Sequence, residues 1–190
     1  MPTPRCFPTP RFPAFTIACL SVLLLAIAAS ASPTVVVISP KNGASSGSPV
    51  FYEAYATSTS CAGGISAMRI YSAPGVNAFT TSGAHIEHFI TVVPGSYSTV
   101  VQAWDNCGGV VKAAVDLTVD STAGVSVFLP NQTSAEWPVH VAASAQNPSC
   151  SGGIGALRIY TASGVTPYTI DSNMLDAYVN LVPGTYNLAV

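Results

Sequence analysis

Charge is scarce in this sequence. Lys and Arg number six and Asp and Glu eight in 190 residues, 7% in all, where soluble domains average about one quarter. A chain with no basic stripe is not an electrostatically driven nucleic-acid binder, and one with so few charges is not a charge-rich disordered segment. Beyond the first thirty residues no apolar run is long enough to cross a bilayer. A dense Asp-x-Asp run that would cradle calcium is missing. What the chain does have is 15 glycines and 15 prolines. Gly spends backbone entropy and Pro lacks the N–H that a helix interior requires, so long helices are excluded and an all-β chain rich in turns is expected.

The first residues read as an export signal. Arg5 and Arg11 precede the nearly uncharged run Ala14 to Ala29, and Ala29-Ser30-Ala31 supplies the small residues of a cleavage site. A basic start, an apolar segment and a small-residue exit predict a signal-peptide helix over residues 1–31, cut between Ala31 and Ser32. The apolar run is too short for a spanning anchor, so no stable transmembrane segment is expected after cleavage. A lipid anchor at Cys19 does not fit, because the main apolar run follows that cysteine rather than preceding it. The mature chain is expected to be secreted, periplasmic or on the cell surface, with four basic and eight acidic residues.

Shifting the sequence by 89 positions lays Cys61–Val76 on Cys150–Val165 and Val92–Val101 on Leu181–Val190, with about 17 of 41 positions identical. Val37–Pro40 matches Val127–Pro130 after a one-residue gap. Two copies of one module follow, spanning residues 32–120 and 124–190. In the first copy, apolar alternation of period two marks seven strands: Thr34 to Ser39, Val50 to Ser58, Ile65 to Ser72, Val76 to Thr80, Ile86 to Val92, Ser96 to Trp104 and Val111 to Val119. Pro40 to Pro49, Cys61 to Gly64, Ala73-Pro74-Gly75, Pro94-Gly95 and Asp105 to Gly109 read as the breaks between them. Seven short strands at this spacing predict a two-sheet β-sandwich.

The strings Val93-Pro94-Gly95-Ser96-Tyr97, Val101-Gln102-Ala103-Trp104-Asp105-Asn106 and Val182-Pro183-Gly184-Thr185-Tyr186 resemble the end of bacterial immunoglobulin-like or fibronectin type III-like modules. That resemblance implies tandem immunoglobulin-like sandwiches, with Tyr97 and Tyr186 closing a tyrosine corner ahead of the sixth strand. It implies no single chemistry, since such modules serve as spacers, adhesive units or companions of exported enzymes.

In an oxidising compartment Cys61, Cys107 and Cys150 are expected to pair. In an immunoglobulin-like sandwich the loops carrying Cys61 and Cys107 emerge at one end, which makes a bridge between them reasonable. The same offset puts the partner of Cys150 near position 196, beyond Val190. Cys150 is therefore expected to be unpaired, and the second copy to lack its last strand, as a fragment of a longer protein would.

Alternation places Met68, Ile70, Val101 and Ala103 inward and Arg69, Tyr71, Gln102 and Trp104 outward. Arg69, Tyr71 and Trp104 then form a possible binding face for a sugar or a protein, or an ordinary cation–π cover for the sheet. His85 and His88 are three apart on a strand and point to opposite faces, so neither a metal site nor any other cofactor is expected. Glu87 and Asp176 correspond between copies and read as solvated surface or a turn, and His140 takes an outward position with no evident triad partner. Asn131-Gln132-Thr133 would accept a glycan only in a eukaryotic secretory route. The expectation is an exported, non-enzymatic repeat protein acting as a structural spacer or as an adhesion or interaction module, with an unidentified protein or glycan ligand. The alternatives are a carbohydrate-binding accessory module, or the front part of an exported enzyme whose catalytic domain lies past residue 190.

Overall fold

A computed structural model of the chain describes residues 32–130, 137–162 and 165–190. The expected signal segment and the Asn131 sequon lie outside the described residues. Every regular element described is a strand, and among these residues no helix is long and apolar enough to cross a membrane.

The first eight strands are β1 (Thr34–Ser39), β2 (Ala44–Ser46), β3 (Val50–Thr57), β4 (Ile65–Ala73), β5 (Val76–Ser82), β6 (His85–Ile90), β7 (Gly95–Asp105) and β8 (Val110–Val119). They form a three-stranded sheet ordered β1-β3-β6 and a five-stranded sheet ordered β2-β8-β7-β4-β5. The two sheets face each other over Val50, Ala54, Ala56, Ile86 and Ile90 from one and Met68, Ile70, Val101, Ala103, Val115, Leu117 and Val119 from the other, all buried. Period-two alternation is what sends these side chains to one face. The alternation is cleanest in β8, where Val115, Leu117 and Val119 are buried and Ala114, Asp116 and Thr118 are exposed.

The count is eight strands where the sequence suggested seven. The addition, β2, lies inside the stretch Pro40 to Pro49 read as a break. Its residues Ala44-Ser45-Ser46 carry no apolar alternation, and β2 is held by parallel backbone pairing to Leu117, Thr118 and Val119 of β8. Such pairing leaves no mark in side-chain pattern.

The remaining strands are β9 (Gly124–Leu129), β10 (Val139–Gln146), β11 (Leu157–Ile159), β12 (Tyr168–Ile170) and β13 (Met174–Val179). A second three-stranded sheet runs β13-β10-β9, and β11 pairs with β12. Tyr160 and Ala189 exchange backbone hydrogen bonds of 2.7 and 3.0 Å beside β11. Val141, Ala143, Ala145, Leu157, Ile159, Leu175, Ala177 and Val179 make the second core.

The two three-stranded sheets turn their outward faces toward each other. On β3, Phe51 and Glu53 point away from the first core yet are 0% and 6% exposed, because Phe128 of β9 and His140 and Ala142 of β10 cover them. Phe51, Phe89 and Phe128 form one ring cluster with centroids 4.9 to 6.2 Å apart. Polar bonds rim it: the Gly47 N–H donates to Ser126 Oγ (2.8 Å), the Ser48 N–H to Gln146 Oε1 (3.0 Å), and Gln146 Nε2 to the Asp120 carbonyl (2.9 Å).

Candidate functional site

Three neighbouring strands build the first candidate face. Ala67 stands opposite Trp104, Arg69 opposite both Gln102 and Thr80, and Tyr71 opposite Val100. The Arg69 guanidinium carbon lies 5.2 Å from the Trp104 ring and 5.7 Å from the Tyr71 ring. Its Nε donates to Thr80 Oγ1 at 2.9 Å and its Nη1 to Tyr71 Oη at 3.2 Å. The three predicted residues are therefore contiguous, as alternation implied, but each is half-buried rather than exposed. Gln102, expected outward, is buried between Arg69 and Lys112 in the register of the sheet. A guanidinium lying over two rings is a cation–π cover for this part of the sheet.

At the end of this face the β7–β8 hairpin is tied by Asp105. Its carboxylate accepts the N–H of Gly109 (2.6 Å) and of Cys107 (2.9 Å) and the hydroxyl of Ser58 (2.9 Å). The Gly109 bond holds this carboxyl below the usual carboxylate range, with Ser58 and Cys107 adding to it and burial opposing. A side chain at Gly109 would meet the Asp105 carboxylate and Pro33, so the close approach requires glycine there. Cys107, in the same turn, forms a disulfide with Cys61 (Cα–Cα 5.8 Å). Cys150 is free and exposed. Tyr97 Oη donates to the Val93 carbonyl (2.6 Å) and Tyr186 Oη to the Val182 carbonyl (2.7 Å), the same four-residue closure in both places.

A second cluster lies where the two three-stranded sheets meet. His140 Nε2 is 2.8 Å from Asp176 Oδ1 and 3.1 Å from Glu87 Oε1, and Tyr178 Oη donates to that same Glu87 oxygen at 3.0 Å. The imidazole is stacked on Tyr178 (4.3 Å, 14°) and set edge-on to Phe51 (5.8 Å, 83°). Burial pushes the His140 pKa down, but the Asp176 hydrogen bond and the Glu87, Asp176 and Glu53 carboxylates outweigh it, and the net shift is upward. Tyr178 is raised by burial first and then by Glu87. Nearby, Glu53 accepts from Tyr55 Oη at 2.9 Å, and His85 stacks on Tyr55 at 4.2 Å.

This cluster corrects two expectations. His140 does have carboxylate partners, and Glu87 and Asp176 are not separate solvated groups but converge on one ring. The outward position expected for His140 holds; what alternation lacked was the second sheet which that direction meets. A usable signal was present in β3, Val-Phe-Tyr-Glu-Ala-Tyr-Ala-Thr, which is apolar on both faces and so reads as a strand covered on both sides. His85 and His88 diverge as expected: His88 turns the other way and stacks on Phe79 at 3.7 Å, where burial lowers its pKa.

No protein-family model matches the chain, and no curated protein matches it. Among solved structures the chain is similar to fibronectin(III)-like modules of Clostridium thermocellum CbhA, at 14% identity and a TM-score of 0.40, covering 82% of this chain and 83% of that one. It is also similar to dimeric latent PorU of Porphyromonas gingivalis, at 12% identity and a TM-score of 0.37. That likeness covers 79% of this chain but 16% of the PorU chain. The β-sandwich architecture is carried by the strand pairing itself, a three-stranded sheet packed on a five-stranded one.

Proposed function

We propose that the chain is an exported, non-enzymatic interaction module built of two immunoglobulin-like copies, acting through its surface rather than through chemistry. The packing of β1-β3-β6 against β13-β10-β9 carries this reading. Burying aromatic rings and a charged cluster between the copies joins them rigidly, so they present one fixed surface. The Cys61–Cys107 disulfide fits an oxidising compartment. Expressed with its own first 31 residues in a bacterial host, the protein is expected outside the cytoplasm, with an intact mass for a chain starting at Ser32 and one free thiol. A cytoplasmic chain that retains residues 1–31 overturns the export reading.

A second reading is favoured by the contiguity of Arg69, Tyr71 and Trp104: a carbohydrate-binding accessory module, with an aromatic ring and a guanidinium stacking on a sugar. A glycan array compares the parent with Trp104→Ala. Carbohydrate binding predicts a signal that falls at least tenfold in the variant. Equal binding by both proteins, or none by either, removes this reading.

A further inference from the structure

Two carboxylates and an imidazole from three different strands converge on one point between the sheets. Their ligand atoms, Glu87 Oε1, His140 Nε2 and Asp176 Oδ1, all lie within 4.8 Å of one another. In a neutral imidazole Nε2 offers at most one hydrogen, so two acceptors at 2.8 and 3.1 Å share a single donor. A divalent cation bonded to all three satisfies both carboxylates at once.

The spacing suits one metal class. Zinc bonds to N and O of about 2.0–2.2 Å at tetrahedral angles place neighbouring ligand atoms about 3.3 Å apart. The separations of His140 Nε2 from Asp176 Oδ1 and Glu87 Oε1, 2.8 and 3.1 Å, are within about half an ångström of that edge. One nitrogen and two carboxylate oxygens match zinc and similar late first-row divalent ions, whereas calcium takes six to eight oxygens and magnesium keeps most of its water. The ring is also set in advance: Tyr178 stacked on one face and Phe51 at its edge fix the direction of Nε2, and Tyr178 Oη orients the Glu87 carboxylate. Partners of this kind, holding first ligands in place, are what metal sites require.

We propose that Glu87, His140 and Asp176 form a zinc-class divalent metal site that links the two copies, Glu87 from β6 of the first and His140 and Asp176 from β10 and β13 of the second. With three protein ligands, the fourth position is left to water. The metal is a cross-link between sheets, and no reaction is assigned to it.

The test uses the whole exported chain carrying Cys150→Ser, which removes the exposed free thiol as a competing ligand. Chelator-treated protein is titrated with Zn2+ by calorimetry and with Co2+ by visible absorption. One ion per chain is expected, with tetrahedral Co2+ bands and a rise in the thermal midpoint, and with neither Ca2+ nor Mg2+ reproducing it. Glu87→Gln and Asp176→Asn should each weaken Zn2+ binding at least tenfold, and His85→Ala should leave it unchanged. NMR of the three histidine rings in the unsubstituted binding site provides a reading that needs no site variant: Zn2+ should move the His140 ring signals and leave those of His85 and His88. Zinc bound with less than one ion per chain, equal affinity in Glu87→Gln and Asp176→Asn, or shifts at His85 or His88 instead of His140 would overturn the proposal.

Discussion

Phe51→Ala is expected to destabilise the protein by about 3–5 kcal/mol. Phe51 is 0% exposed, and its ring touches residues from both halves of the molecule: Phe89 at 4.9 Å, Phe128 at 6.2 Å and His140 at 5.8 Å. Truncation removes the transfer free energy of a large ring and leaves a cavity that strands on either side cannot readily collapse into. Urea unfolding measures the loss. A double-mutant cycle with Phe128→Ala then tests the contact between sheets, with a coupling of about 0.5–1.5 kcal/mol expected for an aromatic pair. A loss below about 1 kcal/mol would mean that the outward face of β3 is not covered.

The second large effect is removal of the disulfide. Cys61 and Cys107 are 46 residues apart, and closing a loop of that length restricts the unfolded chain enough to stabilise the fold by about 3–4 kcal/mol in the chain-entropy model. Cys61→Ser with Cys107→Ser should lower the unfolding free energy by that much and the denaturation midpoint with it, and reduction of the parent with dithiothreitol should reach the same midpoint. The Asp105 bonds to Gly109, Cys107 and Ser58 stay in place in both cases, so the hairpin is expected to keep its shape and the native circular dichroism spectrum to persist. A midpoint that does not respond to either change would show that the bridge adds nothing.

Alternation identified the strands because each has one face on a core and one face away from it. β4, Ile65–Ala73, runs one residue past its expected end, and β7, Gly95–Asp105, is one residue longer than expected at each end. The expectation failed for β2, whose pairing is entirely backbone, and for the environment of β3, whose second face is covered by a sheet almost ninety residues away in sequence. Arg69, Tyr71 and Trp104 could be placed together because they sit on adjacent strands of one sheet. Glu87, His140 and Asp176 could not, since their meeting depends on how two sheets dock, and no local period encodes that.

The parallel pairing of β2 with β8 has a mechanical consequence. Ala44, Ser45 and Ser46 run alongside Leu117, Thr118 and Val119 in the same direction, and the Asp120 N–H extends the ladder by donating to the Ser46 carbonyl at 3.0 Å. Tension applied between the chain ahead of β2 and the chain after β8 drags the two strands in opposite senses along their length. The hydrogen bonds are then loaded together in shear rather than peeled one at a time, so this short strand acts as a force-bearing clamp at the point where the chain leaves the first sandwich.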